Sequence, residues 1–228
     1  MNPSASPAAE ARQALSATLL ALLALALIAG SFLLDAPVER LIREANQGRW
    51  NTSTVVMLLS RYGDWPQLMA AGALGFFAAR RLRSVRWQRI LLSAMIASSL
   101  AGMTANASKQ LTGRTRPRAV AEQGWYGPRH DARWLVGAVD FNSFPSGHTA
   151  TAVGFAGVIL FAAPAWGIPA TLLAAAIALS RVLLGAHHPS DIVAAAAFSL
   201  VIAWLVWEFL GQRGRVDGAV LGSPSAGG

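Results

Sequence analysis

The feature that most constrains the fold is an uncharged run of 21 residues, ALSATLLALLALALIAGSFLL, from Ala14 to Leu34. A helix rises about 1.5 Å per residue, so about 20 apolar residues are needed to cross the hydrocarbon core of a bilayer. The run is longer than the apolar part of a cleaved signal peptide, and only Arg12 precedes it as a basic residue. It therefore predicts a membrane span that is retained in the protein.

Five further apolar stretches, bounded by charged residues, Pro or Gly, predict an all-α integral membrane protein with six transmembrane helices. In chain order they run roughly from Trp65 to Ala79, Ile90 to Ser108, Gly147 to Ala163, Ile168 to Leu184 and Pro189 to Leu210. The 228 residues are 54% hydrophobic and 13% charged, an apolar fraction well above that of a soluble domain. The segment NTSTVVMLLSRYGDWP is too short to span and is expected to lie flat at the membrane interface.

The composition also limits the domain organisation and the partners. Residues 13–210 are expected to form one membrane domain, with residues 1–12 and 211–228 as disordered tails poor in apolar surface. The absence of cysteine excludes disulfides, thiolate catalysis and Cys-ligated metals. The net charge of +8 comes from basic residues in short loops between apolar runs, a distribution unlike that of nucleic-acid-binding proteins. Lipid and phosphate groups are the expected partners, and the oligomeric state is left open.

A loop rich in arginine sets the expected orientation in the membrane. The sequence RRLRSVRWQR at 80–89 has five arginines in ten residues, and such loops stay in the cytoplasm. With six spans, both termini would then also be cytoplasmic, in the inner (plasma) membrane. The opposite face carries more basic residues in total, but most of them lie in the polar segments described next or in the loop that follows the first of them.

Three polar segments flank the predicted spans on the face opposite the arginine-rich loop, which is the periplasmic or exterior side. They are SKQLTGRTRPR, FPSGHTA and SRVLLGAHHPSD, and Lys109, Arg114, Arg116 and Arg181 in these segments form a basic cluster on this face. A charge near membrane depth costs about 2.5 to 3.5 kcal/mol unless it is compensated, and Asp191 is the one acid in these segments. We therefore expect an anion from outside to complete the cluster.

The residue types in these segments fit a phosphate group and its transfer. Arg binds phosphate through a planar fork of donors and Lys through a point charge, and the N–H groups of Ser146 and Gly147 at a helix start favour an anion. A histidine fixed by a carboxylate presents its other nitrogen for attack on phosphorus, while a second, protonated histidine donates to the leaving oxygen. His187 lies four residues before Asp191, although geometry alone leaves its exchange with His188 open.

The spacing of these residues resembles the signature of the type 2 phosphatidic acid phosphatase superfamily, which also includes bacterial acid phosphatases, glucose-6-phosphatase and vanadium haloperoxidases. The first motif, a Lys, six residues and Arg-Pro, is matched by Lys109, Arg116 and Pro117. The second, Pro-Ser-Gly-His, is matched at residues 145–148. The third, Ser-Arg, five residues, His, three residues and Asp, is matched by Ser180, Arg181, His187 and Asp191. Only His187 satisfies both intervals, so the resemblance selects it over His188.

The resemblance implies a role for each matched residue. His187 is expected to be the nucleophile that forms a phosphohistidine, His148 the general acid, and Asp191 the residue that orients His187. The phosphate is expected to be held by Lys109, Arg116, Ser146, Gly147 and Arg181. Positive side chains then supply the charge that a metal ion would otherwise provide, and no metal or cofactor is expected.

The implied activity is metal-independent hydrolysis of a membrane lipid phosphate or diphosphate. Undecaprenyl diphosphate is favoured because the site is expected to face outward, and phosphatidylglycerol phosphate and phosphatidic acid are the other candidates. A lipid phosphotransferase of the same superfamily and a lipid or anion transporter are the alternatives. A transporter has no use for a nucleophile and an acid, and six spans argue against a soluble haloperoxidase.

Four charged residues near the motifs are interpreted without a role in the chemistry. They are Arg114, Arg118, Arg129 and His130. Basic side chains at the ends of spans commonly reach along apolar surface to the interface, so these four are expected to be interfacial anchors.

Overall fold

The structure, a computed structural model, describes residues 7–211. Within this range the chain forms eight α-helices, which are α1 (Pro7–Ser31), α2 (Asp35–Ala45), α3 (Thr54–Tyr62), α4 (Trp65–Arg81), α5 (Val85–Thr112), α6 (Gly147–Ala162), α7 (Pro164–Leu183) and α8 (Pro189–Val206). A short hairpin of β1 (Arg129–His130) and β2 (Arg133–Trp134) lies between α5 and α6. The all-α fold class is confirmed.

Four of the described helical segments are long and apolar enough to cross a membrane. They are Thr18–Ala45, Val85–Thr112, Pro164–Leu183 and Pro189–Leu210, and they correspond to the first, third, fifth and sixth predicted spans. The second and fourth predicted spans are the helices α4 and α6, of 17 and 16 residues. The protein is thus an integral membrane protein by the length and hydropathy of its helices.

The predicted boundaries differ from the structure at the chain ends. Helix α1 begins at Pro7 and takes in the second half of the stretch 1–12 that was expected to be a tail. The predicted C-terminal tail begins at residue 211, which is the last residue that the structure describes. The remainder of the two tails, residues 1–6 and 212–228, lies outside the described residues. The segment expected to lie at the interface contains α3, which has nine residues.

Helix α1 lies at the edge of the bundle and faces outward along most of its length. Its leucines are more than half exposed, among them Leu20 at 67% and Leu25 at 62%. So much exposed leucine would be unfavourable in water, at about 25 cal/mol per Å² of apolar surface, but it suits lipid chains. The exposure therefore identifies α1 as a lipid-facing helix.

The core depends on small residues that bring α5 and α6 close together. Ala94, Ala97, Ala101 and Ala105 recur every three or four residues along α5 and are fully buried. On α6, a Cβ added to Gly154 would lie 3.0 Å from the carbonyl oxygen of Ala97. Small residues at such spacing let helix backbones approach closely in a membrane, so the relative position of α5 and α6 is fixed by packing.

This packing gathers four helix ends at one end of the bundle. Short connections reverse the chain direction between α6 and α7 and again between α7 and α8, since one residue joins α6 to α7 and residues 184–188 join α7 to α8. Both α7 and α8 pack against α6. The arginine-rich segment lies at the other end, where an Nη of Arg86 donates to the carbonyl oxygen of Ala162 at 3.0 Å. The ends of α5 and α7 therefore meet the beginnings of α6 and α8.

The tight contact between α6 and α7 allows a test of this packing. A Cβ at Gly167 would lie 2.1 Å from the Cα of Leu160, whereas a Cβ at Gly30 in α1 would meet no atom within 4 Å. Forcing extra volume into a packed core costs about 1 to 3 kcal/mol, so Gly167→Ala should lower the unfolding temperature in detergent micelles. Gly30→Ala is the matched control and should leave it unchanged or slightly raised. Equal unfolding temperatures for the two variants would contradict this packing.

Candidate active site

A cavity of about 520 Å³ opens where the four helix ends meet. Six of the eight residues that the sequence predicted for the site line it, namely Lys109, Arg116, Gly147, His148, Arg181 and His187. The other two, Ser146 and Asp191, lie behind this lining and are fully buried. The structure therefore brings the three sequence motifs together around one cavity.

A hydrogen bond at Nδ1 fixes the ring of His187 and leaves its other nitrogen, Nε2, available to the cavity. The side chain is 1% exposed, and its Nδ1 lies 2.7 Å from the carbonyl oxygen of Ser143. A carbonyl can only accept, so Nδ1 carries the proton and Nε2 keeps its lone pair. Burial lowers the pKa of His187, with the neighbouring Asp191 acting in the opposite direction, and this also favours the neutral ring.

Asp191, which was expected to orient His187, lies farther from its ring than the carbonyl oxygen of Ser143 does. Its Oδ2 is 3.5 Å from Nδ1 of His187, and the same oxygen accepts from Ser143 Oγ at 2.5 Å and from the backbone N–H of His188 at 2.8 Å. The carbonyl of Ser143 thus makes the nearer contact to His187. The sequence carries no signal for it, because any residue supplies a carbonyl.

Arg114 is buried at the centre of an ion network, which corrects its interpretation as an interfacial anchor. One Nη lies 2.5 Å from Oδ1 of Asp191 and the other 2.6 Å from Oδ2 of Asp35. Asp35 also accepts from the backbone N–H and the hydroxyl of Ser190, at 2.9 and 2.7 Å. The guanidinium lies 4.7 Å from the ring centroid of Trp125. Arg114 is therefore neutralised by carboxylates of the chain and is not free to bind an external anion.

The lining of the cavity carries an excess of positive charge. Lys109, Arg116 and Arg181 face it together with one carboxylate, Asp64. The Nε atoms of Arg116 and Arg181 are buried without a hydrogen-bond partner among the described residues, and burial, followed by repulsion from Arg118, lowers the pKa of Arg116. Buried donors without partners are rare in proteins, so these groups favour an anionic ligand.

Gly147 and Ser146 build the helix start beside these cations. A Cβ at Gly147 would lie 2.9 Å from Nζ of Lys109, so the absent side chain lets the ammonium group approach the first turn of α6. The hydroxyl of Ser146 caps α6 by accepting from the N–H and hydroxyl of Thr149, and its own N–H donates to the carbonyl of Asp191 at 3.2 Å. Ser146 therefore shapes the helix start, and Gly147 lies at the cavity.

The two adjacent histidines point in different directions. His188 lies outside the lining of the cavity, and its Nε2 is 3.1 Å from the carbonyl oxygen of Thr115. Burial, followed by the charge of Arg114, lowers the pKa of His188, so it is a neutral donor to that carbonyl. His187, not His188, therefore faces the cavity.

His148 has a partner that the sequence reasoning missed. Its Nε2 lies 3.7 Å from Oδ1 of Asp64, a residue in the turn between α3 and α4. The other residues interpreted as anchors, Arg118, Arg129 and His130, are exposed, and that interpretation stays a prediction. The described site thus offers a tetrahedral anion three cations, a nitrogen lone pair and a second imidazole.

Comparisons with known proteins agree with the resemblance seen in the sequence. The family model of the PAP2 superfamily matches residues 87–215. Lipid A 1-phosphatase from Rhizobium johnstonii is 29% identical over 190 residues, which cover 78% of this chain and 73% of that protein. Decaprenylphosphoryl-5-phosphoribose phosphatase from Mycolicibacterium smegmatis is 34% identical over 157 residues, which cover 67% of this chain and 76% of that protein.

A solved structure shares the fold. The first transmembrane PAP2 type phosphatidylglycerolphosphate phosphatase from Bacillus subtilis aligns with a TM-score of 0.51 at 20% sequence identity. The alignment covers 84% of this chain and 94% of that one. At this identity the likeness supports the architecture of the helices.

The network around Arg114 can be tested by unfolding. Arg114→Met removes the charge while keeping apolar volume, and it leaves Asp35 and Asp191 buried without their partner. Breaking a buried pair in this way costs about 3 to 5 kcal/mol, so the free energy of unfolding in detergent should fall by about this amount. The exposed Arg133→Ala should change it by less than about 0.5 kcal/mol. An equal effect of the two substitutions would contradict the network.

Proposed function

Because the chain belongs to the PAP2 superfamily, we propose that it is a membrane lipid phosphatase that works through a phosphohistidine on His187 without a metal ion. The observation that carries this assignment is the fixed tautomer of His187. The carbonyl of Ser143 holds the proton on Nδ1, and the unprotonated Nε2 belongs to a side chain that lines a cavity with three cations.

In the first step, the lone pair of Nε2 of His187 attacks phosphorus, and the bond from phosphorus to the lipid oxygen breaks. Lys109, Arg116 and Arg181 stabilise the charge that spreads over the phosphoryl oxygens. His148 transfers its proton to the leaving oxygen. The products of this step are a phosphorylated His187 and the lipid with one phosphate fewer, which is an alcohol from a monophosphate and a lipid monophosphate from a diphosphate.

In the second step, water attacks the phosphorus, and the bond between phosphorus and nitrogen breaks. His148, now neutral, takes a proton from the water, which returns it to its starting state. Phosphorylation of Nε2 leaves a positive charge on the His187 ring, and the buried carboxylate of Asp191 at 3.5 Å stabilises it. The products are inorganic phosphate and the free enzyme.

The shape of the cavity supports a lipid as substrate. Its lining follows α5 from Lys109 to Ser99, a length of about 15 Å at the helical rise. Met103 belongs to this lining and is 68% exposed on the outer face of α5. A phosphate at Lys109 would therefore have its apolar chain in reach of the bilayer.

The related proteins define the substrate class to test. Their names describe the 1-phosphate of lipid A and decaprenylphosphoryl-5-phosphoribose. Together with undecaprenyl diphosphate, phosphatidylglycerol phosphate and phosphatidic acid, these compounds share a phosphate near a long apolar chain. We propose this class as the substrate, with hydrolysis as the reaction and transfer to a second lipid as its alternative.

The proposed topology has six spans within residues 13–210. Helices α4 and α6 would be short spans of 17 and 16 residues, beside the four longer ones. The arginine-rich segment 80–89 contains Val85, the first residue of α5, and Lys109 lies near the other end of this helix. Val85 and Lys109 are about 36 Å apart along the helix axis. With the arginines in the cytoplasm, both termini would be cytoplasmic and the site would face the exterior.

Substitution of the two histidines tests the nucleophile. Purified protein in detergent with EDTA should release inorganic phosphate from at least one lipid of the class above. His187→Ala should lower kcat by about a thousandfold or more because the attacking atom is lost, while His188→Ala should retain the reaction. Loss in both variants, or loss on adding EDTA, would contradict the proposal. Dephosphorylated lipid released without inorganic phosphate would indicate transfer.

The protonation state of His187 gives an independent test. A lowered pKa means that the neutral ring persists as pH falls below the ordinary histidine value of about 6.5. Ring-nitrogen NMR of ¹⁵N-histidine protein, assigned with His187→Asn, should therefore show a neutral His187 with its proton on Nδ1 from pH 8 to below pH 6. A titration centred at or above pH 6.5 would contradict the arrangement.

A further inference from the structure

Asp64 is the one carboxylate among the residues that line the cavity. It precedes α4 as the N-cap residue, and its Oδ1 accepts from the backbone N–H of Trp65 at 2.8 Å. The same Oδ1 lies 3.7 Å from Nε2 of His148. The position of this carboxylate is thus set by a helix start.

A negative charge in this cavity opposes the binding of a phosphate, so the carboxylate of Asp64 is expected to have a specific function there. The charged groups that act on His148 come from each element around it, and they are Asp64 before α4, Lys109 on α5, Arg181 on α7 and Arg116 in the loop after α5. Burial, followed by the three cations, disfavours a protonated imidazole. Asp64 alone among these groups favours it.

We infer that Asp64 is a positioning residue that keeps a proton on Nε2 of His148 for delivery to the leaving oxygen. This inference rests on the role of His148 in the proposed function. A carboxylate at 3.7 Å stabilises the imidazolium form and favours a proton on the nitrogen that faces it. In the step itself the proton moves from His148 to the lipid oxygen, and Asp64 remains a carboxylate throughout.

The helix start supplies matched variants. Asn caps a helix about as well as Asp, so Asp64→Asn keeps the bond to Trp65 and removes only the charge. Asp64→Glu keeps the charge. Thermal unfolding in detergent identifies any variant whose fold has changed, and half-exposed Asp64 makes a folded Asp64→Asn protein the expected result.

The test compares two leaving groups in single turnovers, which report cleavage of the phosphorus–oxygen bond alone. An alkyl phosphate needs a proton on its leaving oxygen, whereas an aryl phosphate with the same apolar chain releases a stable phenolate. Asp64→Asn should slow release of the alcohol about tenfold or more, as a part of the roughly 10²- to 10⁴-fold that general acid catalysis contributes. It should slow release of the phenol much less. The basic limb of the pH profile for the alkyl phosphate should move to lower pH, and Asp64→Glu should recover much of the rate.

The outcomes separate this inference from the proposed function. Equal slowing of both substrates by Asp64→Asn, or no slowing of either, would overturn the role of Asp64. His148→Ala serves as the reference, since loss of the acid should also affect the alkyl phosphate more. If His148→Ala shows no dependence on the leaving group, the assignment of His148 as the acid fails and the inference fails with it.

Discussion

The site depends on the neutralisation of one buried carboxylate. Asp191 is fully buried at the start of α8, where an unpaired charge would cost several kcal/mol. Arg114, Ser143 and the backbone of His188 satisfy its oxygens. These contacts tie the end of α5, the loop before α6 and the turn before α8 together. The same contacts fix the turn that carries His187, so the stability of the charge and the placement of the nucleophile have one cause.

Two groups of cations near each other therefore have different functions. The charge of Arg114 is balanced by Asp35 and Asp191 within the fold. Lys109, Arg116 and Arg181 face the cavity, where Asp64 is the only carboxylate of the lining, and a net positive charge is left for the ligand. The sequence could not separate the two groups, since all of these basic residues lie in the same motif segments. Burial and pairing in the folded chain separate them.

Local sequence patterns predicted the residues that meet at the cavity, but not the partners that hold them. The apolar runs and the motif spacing indicated the helix ends, and six of eight predicted residues line the cavity. Asp35 contacts Ser190, which lies 155 residues later in the chain. Asp64 lies beside His148, which is 84 residues later in the chain. No periodicity connects such distant positions. A lone acid after an apolar run, as Asp35 follows Leu34, is the one signal that the sequence offered.

The contrast between His187 and His188 shows how a helix start distributes two identical side chains. Pro189 opens α8, and the backbone N–H of His188 donates to Asp191 Oδ2 at 2.8 Å as part of the helix cap. This cap directs the ring of His188 to Thr115, the neighbour of Arg116, and leaves His187 one residue earlier to face the cavity. His188 thereby joins the turn of the nucleophile to the loop of an anion-binding arginine. The second histidine is best understood as a structural link between two motifs, and its position follows from the same carboxylate that organises the first.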